Sequence, residues 1–213
     1  MKKKSGHRRR TKMVRRSRKN LRRTVKRKRL GKGRRRPTRR YSRVQRGGVM
    51  TEDDSKCVVK VGNMFANGRG VTEDYAEAVK LYRLAAAEGD AEAQTNLGYM
   101  IMSGWGVAEN DAEAVRWWEL AAAQRNADAH YYLGHMYEKG RGVNKDIDKA
   151  FQLWKFAAEN GNAGAQYYLG LMFEKGLSVA KDDTEAVRLW RLAATQGDAN
   201  AIQKLIYMKK ITP

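Results

Sequence analysis

Residues 1–50 contain no aspartate and no glutamate. They hold 25 of the 44 Lys and Arg, so this stretch carries +25, while residues 51–213 set the other 19 against all 23 acids, a net −4. The formal +21 of the whole chain therefore describes neither part. Mutual repulsion and a shortage of apolar side chains exclude a buried core from the first part, which reads as a disordered polybasic tail over 1–50. Cysteine is reduced to Cys57, which excludes an internal disulfide and fits a reducing compartment. Proline occurs only as Pro37 and Pro213, so nothing between them is barred from helix. No run approaches the ~18 apolar residues of a membrane-spanning helix. The basic N-terminus is followed by no apolar stretch of the kind a secretory signal has.

What is present is a 36-residue repeat. Gly62, Gly98, Gly134 and Gly170 fall in register, as do Ala78, Ala114, Ala150 and Ala186, and then Tyr82, Trp118, Trp154 and Trp190. Within each unit the apolar spacing follows the helical period, as in Ala93, Leu97, Gly98 and Ile101. Residues fit for helix N-caps precede two helices per unit. Asp54, Asp90, Asn126, Asn162 and Asp198 stand before the first helices, and Asp74, Asn110, Asp146 and Asp182 before the second. Glu77, Glu113 and Glu185 stand three residues beyond their caps, the spacing of a capping box. Helices of about 13 residues are marginal alone in water, so the pairs must stack on one another. The expected fold is all-α: an α-solenoid of four helix-turn-helix units over 54–89, 90–125, 126–161 and 162–197, with a capping helix in 198–213. The tryptophan column and the methionine column (Met64, Met100, Met136, Met172) read as core, and the G-x-G-V loops as tight turns between helices.

The pattern resembles the Sel-one-like repeat, a relative of the tetratricopeptide repeat. The third unit carries it in AHYYLGHMYEKGRGVNKDIDKAFQLWKFAAENG, residues 129–161. Two departures stand out: Arg125 replaces the glycine of Gly89, Gly161 and Gly197, and Ser178 replaces the second glycine of its inner loop. The resemblance implies a binding scaffold in which the first helix of each unit lines a concave face. At the non-core positions of those helices lie Asn63, Asn67, Thr95, Tyr99, Tyr131, His135, Lys139, Tyr167, Leu171 and Lys175, with Gln203 and Tyr207 beyond. Tyrosines and amides at these places suit a protein or peptide partner.

No phosphate loop, nucleophile elbow or paired-cysteine metal spacing occurs, and His130 and His135 are five apart, off one helix face. The chain reads as no enzyme, with no cofactor, metal or small-molecule substrate. In the tail, Arg8, Arg9, Arg10, Arg15, Arg16, Arg22, Arg23, Lys26, Arg27, Lys28, Arg29, Arg34, Arg35 and Arg36 are the candidate polyanion contacts. Tyr41 is the one aromatic of residues 1–50, so phosphate neutralisation rather than base stacking is the mechanism expected, without sequence specificity. These features describe an adaptor whose solenoid grips a protein and whose tail holds nucleic acid or directs the chain to the nucleus or nucleolus. The alternative is a nucleic-acid-packaging protein, cellular or of a large DNA virus, whose solenoid self-associates; virion and mitochondrion are the other locations considered.

Overall fold

The computed structural model describes residues 50–211, with side chains as far as Met208. The candidate cations from Arg8 to Arg36, and Tyr41, lie outside the described residues. Among the described residues there are nine helices and no strand: α1 Glu52–Ala66, α2 Tyr75–Ala87, α3 Ala91–Ser103, α4 Asp111–Ala123, α5 Ala127–Lys139, α6 Ile147–Glu159, α7 Ala163–Lys175, α8 Asp183–Thr195 and α9 Ala199–Ile211. Each even-numbered helix packs against the odd helix before it and the odd helix after it. Four such pairs and a final single helix make an α-solenoid.

The helix starts are set by side-chain caps. Asp90, Asn126, Asn162 and Asp198 accept from the amide three residues on at 2.7–2.9 Å. Asp74, Asn110, Asp146 and Asp182 do the same for the second helices at 2.9–3.0 Å. Two expectations need correction. The cap of α1 is Thr51, and Asp54 is its third helical residue, closing a reciprocal box with the Thr51 amide at 3.1 Å. The boxes expected at Glu77, Glu113 and Glu185 form by halves: their amides are capped, but their carboxylates turn outward to Lys80, Arg83 and Arg188. A basic neighbour competes for the carboxylate that would otherwise reach back to the cap.

The core repeats one contact. Trp118, Trp154 and Trp190 are at most 2% exposed, and each indole N–H donates at 3.1 Å to a carbonyl of the preceding odd helix, those of Thr95, Tyr131 and Tyr167. The ring then lies on the backbone of that helix where it carries Gly98, Gly134 or Gly170. A Cβ on Gly98 would stand 2.6 Å from the Trp118 nitrogen, and one on Gly170 2.5 Å from that of Trp190. In the first unit Tyr82 faces Gly62 in the same way and sends its hydroxyl to Asn63 Oδ1 at 2.6 Å. Burying one indole, at roughly 200 Å² of mostly apolar surface, is worth up to about 5 kcal/mol. Alanines 78, 114, 150 and 186 line the same seam at no more than 1% exposure.

Neighbouring units meet a second time at the inner loops. Trp105, between α3 and α4, stacks on Tyr75, the first residue of α2, with centroids 5.2 Å apart. Thirty-six residues on, Arg141 holds Asp111, the first residue of α4, through two bonds of 2.8 Å and Glu109 through one of 2.9 Å. Gly142 follows at φ +67, and a Cβ there would meet the Asp111 carbonyl carbon at 2.6 Å. Arg125 and Ser178 occupy the same left-handed region, at φ 63 and 59, without being glycine. The Arg125 guanidinium lies 5.0 Å from the Phe156 centroid, a contact that a glycine could not make.

Gly134→Ala should lower the thermal midpoint. The added methyl costs about 1–3 kcal/mol of overpacking against Trp154, which exceeds the ~1 kcal/mol gained in helix propensity. An unchanged midpoint would mean that the ring moves aside freely and that the contact is not tight.

Candidate interaction site

The odd helices carry a second set of side chains beside the tryptophan seam. On α3, α5 and α7 these are aromatic, and they join into a continuous ribbon. Trp105 meets Tyr99 edge-on at 5.5 Å, Tyr99 lies 5.7 Å from Tyr132, and Tyr132 is 5.2 Å from Tyr131. Tyr131 reaches Tyr168 at 6.3 Å, and Tyr168 meets Tyr167 at 5.2 Å. The ribbon is anchored from beneath: Tyr132 stacks on Trp118 of the preceding unit at 5.0 Å, and Tyr168 on Trp154 at 5.1 Å. His135 stands edge-on between Tyr131 at 4.7 Å and Tyr168 at 4.3 Å, over Trp154 at 5.2 Å. Tyr132 and Tyr168 thus rest on buried indoles of the neighbouring unit, and Tyr99, Tyr131 and Tyr167 lean on these two rings.

Burial pushes the Tyr131 and Tyr132 phenols up to about 12 and raises that of Tyr168. They stay protonated at any physiological pH and act as donors. The hydroxyls of Tyr99, Tyr131, Tyr132, Tyr167 and Tyr168 have no hydrogen-bond partner among the described residues. Burial also lowers His135, against the nearby Glu138, which raises it, and with Lys139, which lowers it further. Its Nδ1 is 3.9 Å from Glu138 Oε2, a buried oxygen that accepts no hydrogen bond.

The expected groove residues divide accordingly. Tyr99, Tyr131, His135 and Tyr167 come together in the ribbon. Lys139 and Lys175 are exposed at the C-terminal ends of α5 and α7, Lys139 beside Glu138 at 3.4 Å. Leu171 is half-buried against the Trp190 cluster, and Gln203 and Tyr207 are exposed on α9. Asn63 is committed within the chain: its carbonyl oxygen accepts from Tyr82 and from Asn96 at 3.2 Å, and its amide donates to Glu92 at 3.2 Å. Asn67 donates to the Asn63 carbonyl at 2.7 Å. Thr95 is a correction: it is 5% exposed, and its hydroxyl donates to the Ala91 carbonyl at 2.8 Å, so it presents nothing to a ligand. A short side chain at that column turns back on its own helix, whereas the tyrosines in the same column extend outward.

Sequence reasoning missed Tyr132, Tyr168 and Trp105. The first two share a column with Lys60, Asn96 and Lys204 and repeat only once, so the period alone does not mark them. Elsewhere, a cleft of about 450 Å³ near the start of α1 is lined by Thr51, Lys56, Glu88, Asp90 and Glu92. Its Asp90 carboxylate caps α3 and accepts from Ser55 at 3.0 Å, and Glu92 is held by Asn63. No cluster of three or more metal-ligating side chains occurs among the described residues, and none of their helices is long and apolar enough to cross a membrane.

The Sel1 repeat model matches this chain four times, at residues 55–90, 91–126, 127–162 and 163–198. Among solved structures, the chain is similar to a Sel1 repeat protein from Oxalobacter formigenes, at 36% identity and TM-score 0.64, over 71% of this chain and 63% of the other. It is also similar to c5321, a protective antigen of uropathogenic Escherichia coli strains with an SLR fold, at 37% identity and TM-score 0.63, over 70% of this chain and 32% of the antigen. The matches thus span less than two thirds of either protein's own length. No curated protein sequence matches the chain.

A histidine held neutral by burial makes stability depend on pH. Its ordinary value is 6.5, and the folded value lies below that. The stability it carries is therefore complete above about pH 6.5 and is lost as the pH falls through the folded value. Thermal midpoints should decline across this window, and His135→Gln should flatten that part of the profile. A decline identical in the variant would assign the effect to other groups.

Proposed function

The chain belongs to the Sel1 repeat family, and from that premise we propose that it is a non-enzymatic scaffold whose aromatic ribbon binds a protein partner in extended form. The observation that carries this reading is the row of five phenol hydroxyls without hydrogen-bond partners among the described residues, set on rings that their neighbours hold in place. Rigid tyrosines offer contact area at a small entropic cost, and their hydroxyls can donate to the carbonyls of an extended backbone. The polybasic residues 1–50 serve the same assembly by neutralising nucleic-acid phosphates or by directing it to the nucleus or nucleolus. A second reading, nucleic-acid packaging through self-association, draws on α9, where Ile202, Ile206 and Tyr207 are 37%, 44% and 60% exposed.

Affinity capture with the full chain tests the ribbon. Replacing Tyr99, Tyr131 and Tyr167 together with alanine should remove the proteins that the wild type retains, while circular dichroism stays helical. Retention by a folded triple variant would place the partner on another face.

The tail is tested by salt. With about eight phosphates neutralised, affinity for unrelated duplexes should fall by about four orders of magnitude over a fourfold rise in salt. A shallow slope, or clear preference for one sequence, would reject phosphate neutralisation as the mechanism.

A further inference from the structure

The loop position at which Trp105 and Arg141 join neighbouring units changes its chemistry from one repeat to the next: Arg69, Trp105, Arg141, Leu177. Trp105 is 42% exposed, although it is stacked on Tyr75 and edge-on to Tyr99. Of the five tryptophans, it alone has an indole N–H with no partner among the described residues. Trp118, Trp154 and Trp190 donate to carbonyls at 3.1 Å, and Trp117 to Glu113 at 3.5 Å.

The surroundings of Trp105 are acidic. Glu73 lies near Tyr75 and raises its phenol, and Glu109 packs beside Gly104, the residue before Trp105. Glu109 is 60% exposed and shares the single guanidinium of Arg141 with Asp111. Elsewhere the chain covers its rings with its own cations: Lys149 lies 4.0 Å over Tyr137, Arg125 5.0 Å over Phe156 and Lys204 5.1 Å over Trp190. Among the described residues no group accepts from the Trp105 indole and no cation lies over its ring, which is left with an exposed face and neighbouring carboxylates.

We propose that Trp105, backed by Tyr75 and Tyr99 and flanked by Glu73 and Glu109, receives an arginine or lysine side chain of a basic partner peptide. The cation lies over the indole face, where the ring quadrupole and the two carboxylates act together. The indole N–H takes a backbone carbonyl of the same peptide, which distinguishes a peptide from a free cation. This assignment rests on the reading of the ribbon as a peptide-binding face and names the charge of what enters at its Trp105 end.

The test uses the full chain with nitrogen-labelled indoles and carbon-labelled tyrosine rings, and a short, glycine-spaced arginine peptide beside the same peptide with citrulline for arginine. The Trp105 indole signal should move, those of Trp118, Trp154 and Trp190 should not, and the arginine peptide should bind about fivefold to tenfold more tightly. Trp105→Ala alone would also open the seam between units. The double variant Trp105→Arg with Tyr75→Asp instead copies the Arg141–Asp111 pair, so it should keep the thermal midpoint and lose the preference for arginine. Equal binding of the two peptides, with Tyr131 and Tyr167 responding, overturns the cation site and leaves the ribbon standing. No response at Trp105 or at the tyrosines overturns both.

Discussion

An indole ring set with its N–H edge against a bare helix backbone is the contact on which this stack depends. The ring needs its N–H satisfied, and the nearest acceptor is a carbonyl already inside the preceding helix. To reach it, the ring must cross the helix surface at a distance that no Cβ permits, so the helix carries glycine there. Glycine is a poor helix former, yet at 13 residues the helices draw their stability from packing rather than from propensity. The first unit shows the rule by substitution: Tyr82 has no ring nitrogen to satisfy, and its hydroxyl goes past the backbone to Asn63.

The same rule describes α9. At the position of Gly62, Gly98, Gly134 and Gly170 it carries Ile206, which is 44% exposed. A branched side chain there cannot accept an indole against the backbone. The helix packs on α8 and presents to the other side a surface unlike that of the four units before it. The inner-loop seams vary more freely, because an aromatic stack and a bidentate ion pair each satisfy the same geometry. That tolerance is what leaves Trp105 available for a role beyond holding two units together.

The aromatic ribbon is a consequence of the core rather than a separate construction. Tyr132 and Tyr168 find Trp118 and Trp154 already fixed beneath them, and stack. Tyr99, Tyr131 and Tyr167 then lean on these. Where the supporting residue is Asn96 rather than tyrosine, the first unit closes its face with a polar network of Asn63, Tyr82 and Glu92. The ring surface therefore begins at the second unit, and so does the part of the face whose hydroxyls have no partner among the described residues.

The sequence by itself determined the number of units, both helices of each and nearly every cap, because those depend on local spacing and on side chains bonding three residues away. It showed also that the first fifty residues carry 25 of the 44 Lys and Arg and no acid. It misjudged Asp54 and the capping boxes at Glu77, Glu113 and Glu185, where a neighbouring cation decides which way a carboxylate turns. It put Thr95 and Asn63 in the groove, although a hydroxyl that bonds its own helix and an amide enclosed by three neighbours look the same in a repeat pattern as ones that face solvent. Only the tertiary structure selected Tyr132, Tyr168 and Trp105, because what qualifies them is a ring in the preceding unit, 14 residues back for the two tyrosines and 30 for Trp105, and no period within one helix contains that contact.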